Sequence, residues 1–395
     1  MSGSEHRRIS RRAFVQMAAA GAAALGVAPL IADEAAIPIQ GFEEERTDPD
    51  AAKGWQPVSD RKLRVGIAGY GVCRFGAAFG FQNHPNVEVV AVTDLIPDRC
   101  AELAKECRCK KTYSSCEEMV KDDRIEAVFV ATDPPSHARL CIDALKHGKH
   151  VACAVPAVFG SIEDADRLFA AVKESGLNYM MFETSYYHRD LHAWRQQYIG
   201  GGLGKKIVYA EGEYFHYRAS PLSSYKGWRV GIPPQWYTTH ASAYYVGVTG
   251  GSYTEVSCMG IPSIIKHFQP ANNPYRNPFG TEVALFRTHD GGMARMAVSW
   301  DTPAGKGCET GRVRGQSDGK VSRSTSLPPL PPGVHAGAHG GSHGYLMSEF
   351  VESILQNRKP LVDVAQSLAM TVGGIVAHQS ALKGGELMKI PQFTL

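Results

Sequence analysis

Apolar residues along this chain fall into two contrasting patterns. Between residues 62 and 183, five short and nearly unbroken apolar runs recur: Leu63 to Ala68, Val87 to Val92, Ala127 to Ala131, His150 to Ala154 and Asn178 to Phe182. Helical patterns lie between them. Ala138 to Leu145 spaces its apolar residues by three and four, and Ser161 is placed to cap a helix whose buried face is Leu168, Phe169 and Val172. Unalternating strands separated by amphipathic helices predict a parallel sheet covered on both faces.

After about Thr184 the spacing changes. Ile207 to Tyr217, Glu255 to Gly260, Ser263 to Phe268, Thr281 to Thr288 and Met293 to Trp300 alternate and are rich in aromatic residues. Few helices separate the later ones, which predicts a large, open, mostly antiparallel sheet. One helix is expected over Thr238 to Val248, and two close the chain, Gly344 to Gln356 and Val364 to Lys383. Loops rich in proline and glycine are expected at Ile232 to Pro234, Pro270 to Pro278 and Ser326 to Gly344. The fold class is therefore α/β, with a doubly wound parallel sheet in residues 62–183 and an α+β domain in residues 184–395.

The start of the chain fits neither pattern. Arg7 and Arg8 precede Ser10-Arg11-Arg12-Ala13-Phe14-Val15-Gln16, and a weakly apolar, Ala/Gly-rich run follows from Met17 to Leu30. That order is the mark of a twin-arginine export signal. Residues 1–35 are expected to be the signal and 36–61 a polar linker. The protein is then expected in the periplasm, meeting the membrane only during export.

Composition narrows the partners. The 395 residues are 44% hydrophobic and 21% charged, with a net charge of +3 and no basic stripe. No nucleic-acid partner is therefore expected. The 9 cysteines are odd in number and irregularly spaced. They read as small apolar residues, with Cys73, Cys100, Cys116, Cys141 and Cys153 in segments that look buried, and not as a disulfide framework.

The candidate chemistry begins where the first strand ends. Gly69-Tyr70-Gly71-Val72-Cys73-Arg74-Phe75-Gly76 lets the backbone turn tightly and approach a pyrophosphate, with a helix N-terminus behind it. Arg74 stands where a strict dinucleotide fingerprint has its third glycine. The second strand ends in Thr93-Asp94, the distance at which an acid receives a ribose hydroxyl. Asp94 repels a 2′-phosphate and so favours NAD over NADP, while Arg99 nearby keeps NADP open. Ala131-Thr132-Asp133-Pro134-Pro135-Ser136-His137 is a strand end opening into a helix, where open α/β sheets bind ligands. For Thr132, Ser136 and His137 a plain helix cap is the alternative.

These segments, with His147-Gly148-Lys149-His150-Val151 and the strand-end Pro156, resemble the glucose–fructose oxidoreductase / inositol dehydrogenase (Gfo/Idh/MocA) family. Phe350, Pro360, Ala369, His378-Gln379-Ser380 and Ile390-Pro391 extend the resemblance to the tail. It implies a Rossmann domain, a bound NAD(P) that the positions Gly69, Gly71, Val72, Cys73, Arg74, Asp94, Arg99, Ala131, Thr132, His137 and Pro156 contact, and a sugar or cyclic polyol substrate. It also implies homo-oligomers built through the open sheet. Two departures stand out. Cys153-Ala154-Val155-Pro156 lacks the acid and lysine of the family's Glu-Lys-Pro, and Trp236 stands where the family has an aspartate four residues before its histidine.

A narrower branch, the NAD-dependent glycosidases, also lacks that lysine. Tyr237-Thr238-Thr239-His240 is similar to its Tyr-Pro-Thr-His segment, and Tyr187 matches its tyrosine after the sixth strand. The resemblance implies catalysis by His240, Tyr237 and Tyr187. His240 lies at the start of an expected helix, whose positive end favours a neutral imidazole. The readings are thus an oxidoreductase with a recycled cofactor, a glycosidase using transient oxidation, or a silent binder of nucleotide and sugar. Trp228-Arg229 and Tyr214 to Arg218 are candidates to line the sugar, with ordinary sheet packing as the alternative. His335 to His343 carries three histidines, but its glycines oppose a helix and no acid is interleaved, so no metal site is expected there. His343 remains a candidate substrate contact on a mobile loop.

Overall fold

A computed structural model describes residues 48, 50–216, 223–303, 306–319 and 324–395. The expected export signal, and Tyr217 and Arg218, lie outside the described residues. Among the described residues no helix is long and apolar enough to cross a membrane.

Six strands form the first sheet: β1 (Leu63–Ala68), β2 (Val87–Thr93), β3 (Thr112–Tyr113), β4 (Ala127–Val130), β5 (His150–Ala154) and β6 (Tyr179–Phe182). All neighbours are parallel and the order is β3-β2-β1-β4-β5-β6. This is the Rossmann arrangement, and its chain reversal places a crevice between the carboxyl ends of β1 and β4. The connecting helices are α1 (Phe75–Ala78), α2 (Pro97–Glu106), α3 (Cys116–Met119), α4 (Pro134–Lys146) and α5 (Ile162–Ser175). Ser161 caps α5, its hydroxyl accepting from the Asp164 N–H at 3.0 Å.

After α6 (Arg189–Ile199) the second sheet uses β7 (Ile207–Phe215), β8 (Tyr253–Pro262), β9 (Phe279–Thr288), β10 (Met293–Ser299), β11 (Cys308–Gly315) and β12 (Met388–Lys389). Its order is β11-β7-β10-β9-β8-β12. Only β7 and β10 run parallel, so the sheet is mixed and mostly antiparallel. The helices α7 (Thr239–Thr249), α8 (His343–Leu355) and α9 (Val364–Leu382) complete the chain. One expected strand is absent: Ser263 to Phe268 forms a turn and a short 3-10 helix, with Ile264 92% exposed. The strand β11 was not foreseen. Its residues are mostly exposed or half-buried, and only Val313 is buried, so no apolar alternation marks it.

All nine cysteines are free thiols; seven are buried, and Cys73 and Cys308 are half-buried. They pack as small apolar residues, as expected from their spacing, except that Cys73 borders the crevice.

Candidate active site

The crevice starts at the glycine turn after β1. Gly69 has φ 105°, and a Cβ there would lie 2.4 Å from the Ala131 carbonyl oxygen. Only glycine allows β1 and β4 to converge at this point. Gly71, by contrast, has no neighbour within 4 Å of a Cβ position, so its backbone is open to the crevice. Arg74 takes the left-handed conformation (φ 50°, ψ 24°) that a fingerprint glycine would hold at lower cost. The close packing expected of that third glycine falls instead to Gly76, where a Cβ would sit 2.4 Å from the Gly69 carbonyl oxygen. The helix behind the turn, α1, has only four residues. Its axial dipole is therefore weaker than the sequence suggested, and the free backbone N–H groups carry most of the attraction for an anion.

Asp94 lines the crevice at the end of β2. Its carboxylate accepts from the backbone N–H of Tyr70 at 2.7 Å and of Ile96 at 2.8 Å, which pins it at the end of β2. Gly69, Gly71, Val72, Cys73, Arg74, Asp94, Arg99, Ala131 and Thr132 all line one crevice. His137 and Pro156 do not. His137 is 1% exposed, its Nδ1 lies 2.8 Å from the Pro156 carbonyl, and Nε2 lies 3.3 Å from the Thr132 carbonyl. It ties the ends of β4 and β5 together from behind. Ala154 and Val155 face the crevice where the family has its lysine.

The connection between β7 and α7 adds Trp228, Arg229 and Tyr237 to the crevice lining. The Arg229 guanidinium stacks on Trp228, 4.1 Å from the ring centroid. Tyr237 sits on a short 3-10 turn, Pro234–Tyr237, held by a buried clamp. Glu282 accepts from the Gln235 N–H at 2.8 Å and pairs with His378 Nδ1 at 2.7 Å. Trp236, at the family's aspartate position, packs edge-on against Phe159 and His378.

Behind Tyr237 lies a buried charged cluster. Gly212 on β7 lets α7 approach so closely that a Cβ there would lie 2.2 Å from the Ala241 carbonyl. His240 packs with Tyr214 (centroids 4.4 Å apart) and Tyr237 (5.7 Å) in one cluster of three rings. Its Nδ1 lies 2.7 Å from Glu183 Oε1 and 3.6 Å from Glu309 Oε1. Ser185 donates its hydroxyl to Glu309, and His188 Nε2 lies 3.5 Å from the same oxygen. Burial opposes charge on His240, but Glu183 and Glu309 overcome it and raise its pKa to about 9. Burial likewise opposes charge on Glu309, yet His240, His188 and His339 bring it down to about 2. The expectation of a neutral His240 is thus corrected: two buried carboxylates outweigh the end of one helix.

Tyr187 is also corrected. Its ring stacks on Tyr345 at 5.3 Å and on His192 at 6.3 Å, and it lines a different cavity, with Arg195 and Glu349. From the same stretch after β6 it is Glu183, at 2.7 Å, and Thr184, at 3.4 Å, that reach His240. His343 is no substrate contact either. It is 2% exposed and stacks on Phe79, ring centroids 4.2 Å apart. Sequence reasoning passed over Glu183 and Glu309. Glu183 carried a usable signal, an acid directly after an apolar strand at the ligand-binding end of the sheet.

Residues 63–183 match the family model described as an oxidoreductase family with an NAD-binding Rossmann fold. Residues 63–183 are thus a Rossmann domain similar to that of the Gfo/Idh/MocA oxidoreductases. A relative is the glycosyl hydrolase family 109 protein 1 of Bacteroides fragilis, 30% identical over 167 residues, which are 39% of this chain and 35% of that protein. Another is the 1,5-anhydro-D-fructose reductase of Ensifer adhaerens, 30% identical over 149 residues, 37% of this chain and 42% of the relative. The chain thus aligns with well under half the length of these relatives. Beyond the Rossmann domain the fold is shared with myo-inositol 2-dehydrogenase of Lactobacillus plantarum, at a TM-score of 0.66 and 20% identity, over 84% of this chain and all of that one.

The crevice of this Rossmann domain suits a nicotinamide dinucleotide. The Gly71 backbone is open, and Thr132 Oγ1 and Arg229 Nε, both lining this crevice, are buried without a hydrogen-bond partner. Orphaned donors lining a crevice await an acceptor. The turn Gly69–Arg74 would hold the pyrophosphate and Asp94 the ribose.

Proposed function

We propose that this chain is an oxidoreductase acting on a sugar or sugar-like polyol, using NAD in preference to NADP. The observation that carries this reading is the double position of Tyr237, which lines the nucleotide crevice and packs on His240. When bound, the nicotinamide supplies hydride acceptance and return. Asp94 receives the ribose hydroxyls and repels a 2′-phosphate. His240, with Nδ1 turned to Glu183, keeps Nε2 for a sugar hydroxyl and moves its proton, and Tyr237 orients the same oxygen.

A second reading is a glycosidase that oxidises its sugar transiently. Two observations favour it: the relatives named glycosyl hydrolase family 109, and the apolar Ala154-Val155 wall in place of a lysine. The twin-arginine segment supports export to the periplasm. Outside the cytoplasm no free nicotinamide pool is replenished, so the cofactor is retained and restored within each cycle. Exposed Met259, Ile261 and Leu285 on the open sheet support assembly into a homo-oligomer.

The test is mass spectrometry of nucleotide released from the native protein, followed by a panel of sugars and glycosides in deuterated water. About one NAD per chain and turnover of a sugar are expected. Deuterium beside the oxidised carbon, with glycoside cleavage, selects the glycosidase. Protein that neither carries nor takes up nucleotide rejects both readings.

A further inference from the structure

Glu183, His240 and Glu309 converge from the end of β6, the start of α7 and β11. One donor atom from each lies within 4.8 Å of the other two. Their side chains are 0%, 4% and 9% exposed. Two carboxylates and one imidazole leave a surplus negative charge within the trio even when the imidazole is protonated, and the half-buried His188, 3.5 Å from Glu309, lies within ion-pair distance to offset it only when itself protonated. A buried surplus charge is costly unless a counter-ion meets it. The second observation is an orphan. Glu183 Oε2 is buried and has no hydrogen-bond partner, although a carboxylate oxygen accepts two bonds.

We propose that Glu183, His240 and Glu309 bind one first-row divalent cation, of the Zn2+ or Mn2+ type. Two oxygens and one nitrogen, with no thiolate, suit these ions. Ca2+ needs six to eight oxygens, which these three side chains do not supply. Ser185 and His188 hold Glu309 in place from behind, as outer partners of metal ligands do. The ion neutralises the surplus charge and uses the orphaned oxygen. It sits one aromatic ring, Tyr237, away from the nucleotide crevice. The inference rests on donor geometry and charge, and it stands whichever reaction the crevice performs.

The test uses the full chain, stripped with EDTA and titrated separately with ZnCl2 and MnCl2 by calorimetry. One equivalent is expected to bind. Glu183→Gln and Glu309→Gln should each weaken binding at least about tenfold. His339→Gln, which removes a neighbouring histidine outside the ligand set, should leave affinity within about twofold. Pulsed electron paramagnetic resonance of bound Mn2+ should show one imidazole nitrogen, lost in His240→Gln, so the assignment is readable even if a carboxylate variant fails to fold. No saturable binding of either ion at millimolar concentration overturns the proposal. So does binding unchanged by both glutamine variants, or abolished by His339→Gln.

Discussion

Gly76 packs on the carbonyl of Gly69 with no room for a methyl group between them. Gly71, two residues from Gly69 in the same turn, has open space above it. The two glycines therefore serve different ends, and alanine separates them. Gly76→Ala should cost about 1–3 kcal/mol of stability through overpacking. Gly71→Ala should leave the melting temperature nearly unchanged but weaken nucleotide binding at least tenfold, because its methyl group enters the crevice. Calorimetry of melting and of NAD titration reads both. Equal stability losses in the two variants would contradict this division.

The chemistry is expected to follow His240 and not Tyr187. His240→Ala should lower turnover by about 10²–10⁴-fold, the usual worth of a placed acid–base group, with nucleotide occupancy unchanged. Tyr187→Phe should stay within about twofold of the wild type, since that ring faces the cavity of Arg195 and Glu349. A Tyr187→Phe variant as inactive as His240→Ala would return the tyrosine to the active site.

The Glu282 clamp should govern the turn that carries Tyr237. Glu282→Ala leaves the Gln235 N–H and His378 without their buried acceptor. The expected cost is about 3–5 kcal/mol, the range for breaking a buried pair by removing one partner. Urea denaturation measures the loss. Hydrogen exchange at residues 234–238 should accelerate in parallel, and unaltered exchange there would show that the turn is held by something else.

Much of the architecture was legible because it rests on local pattern. Short unalternating runs such as Val128 to Val130, recurring between amphipathic helices, read as strands buried on both faces. The Gly69 turn and Asp94 sit at fixed offsets from such runs. The charged cluster was not legible, because His240 gains its environment from Glu183 and Glu309, which lie 57 and 69 residues away in the chain. No helix-end argument senses them. Glu309 was further hidden because its strand buries only Val313, and Ser263 to Phe268 misled because Ile264 is an apolar residue left in solvent.

Two buried histidines set an acid limit on stability. Burial draws His84 down to about 4; burial, followed by the charge of Arg195, does the same for His192. His84 Nδ1 accepts from the Asn86 N–H at 3.0 Å, and His192 Nε2 lies 3.1 Å from the Ser326 carbonyl. Both stay neutral in the folded chain while the unfolded chain protonates them near 6.5. The unfolded state therefore binds more protons, and stability falls as pH drops from about 6.5 toward 4. For His84 the loss is on the order of 2–3 kcal/mol by pH 4. Urea midpoints measured between pH 7 and 5 should decline, and less steeply in His84→Gln. A variant curve parallel to the wild type would count against His84.

The open sheet is sealed on one side by very little. Met388 and Lys389 pair with Val256 and Glu255, Ile390 N–H reaches the Thr254 carbonyl at 2.9 Å, and the Gln392 amide reaches that of Tyr253 at 2.7 Å. Protease trimming just before Met388 would strip this hem from β8 and bare a row of hungry peptide groups. Clipped molecules should then stitch to one another along that seam, so residues 388–392 act as a guard against clumping.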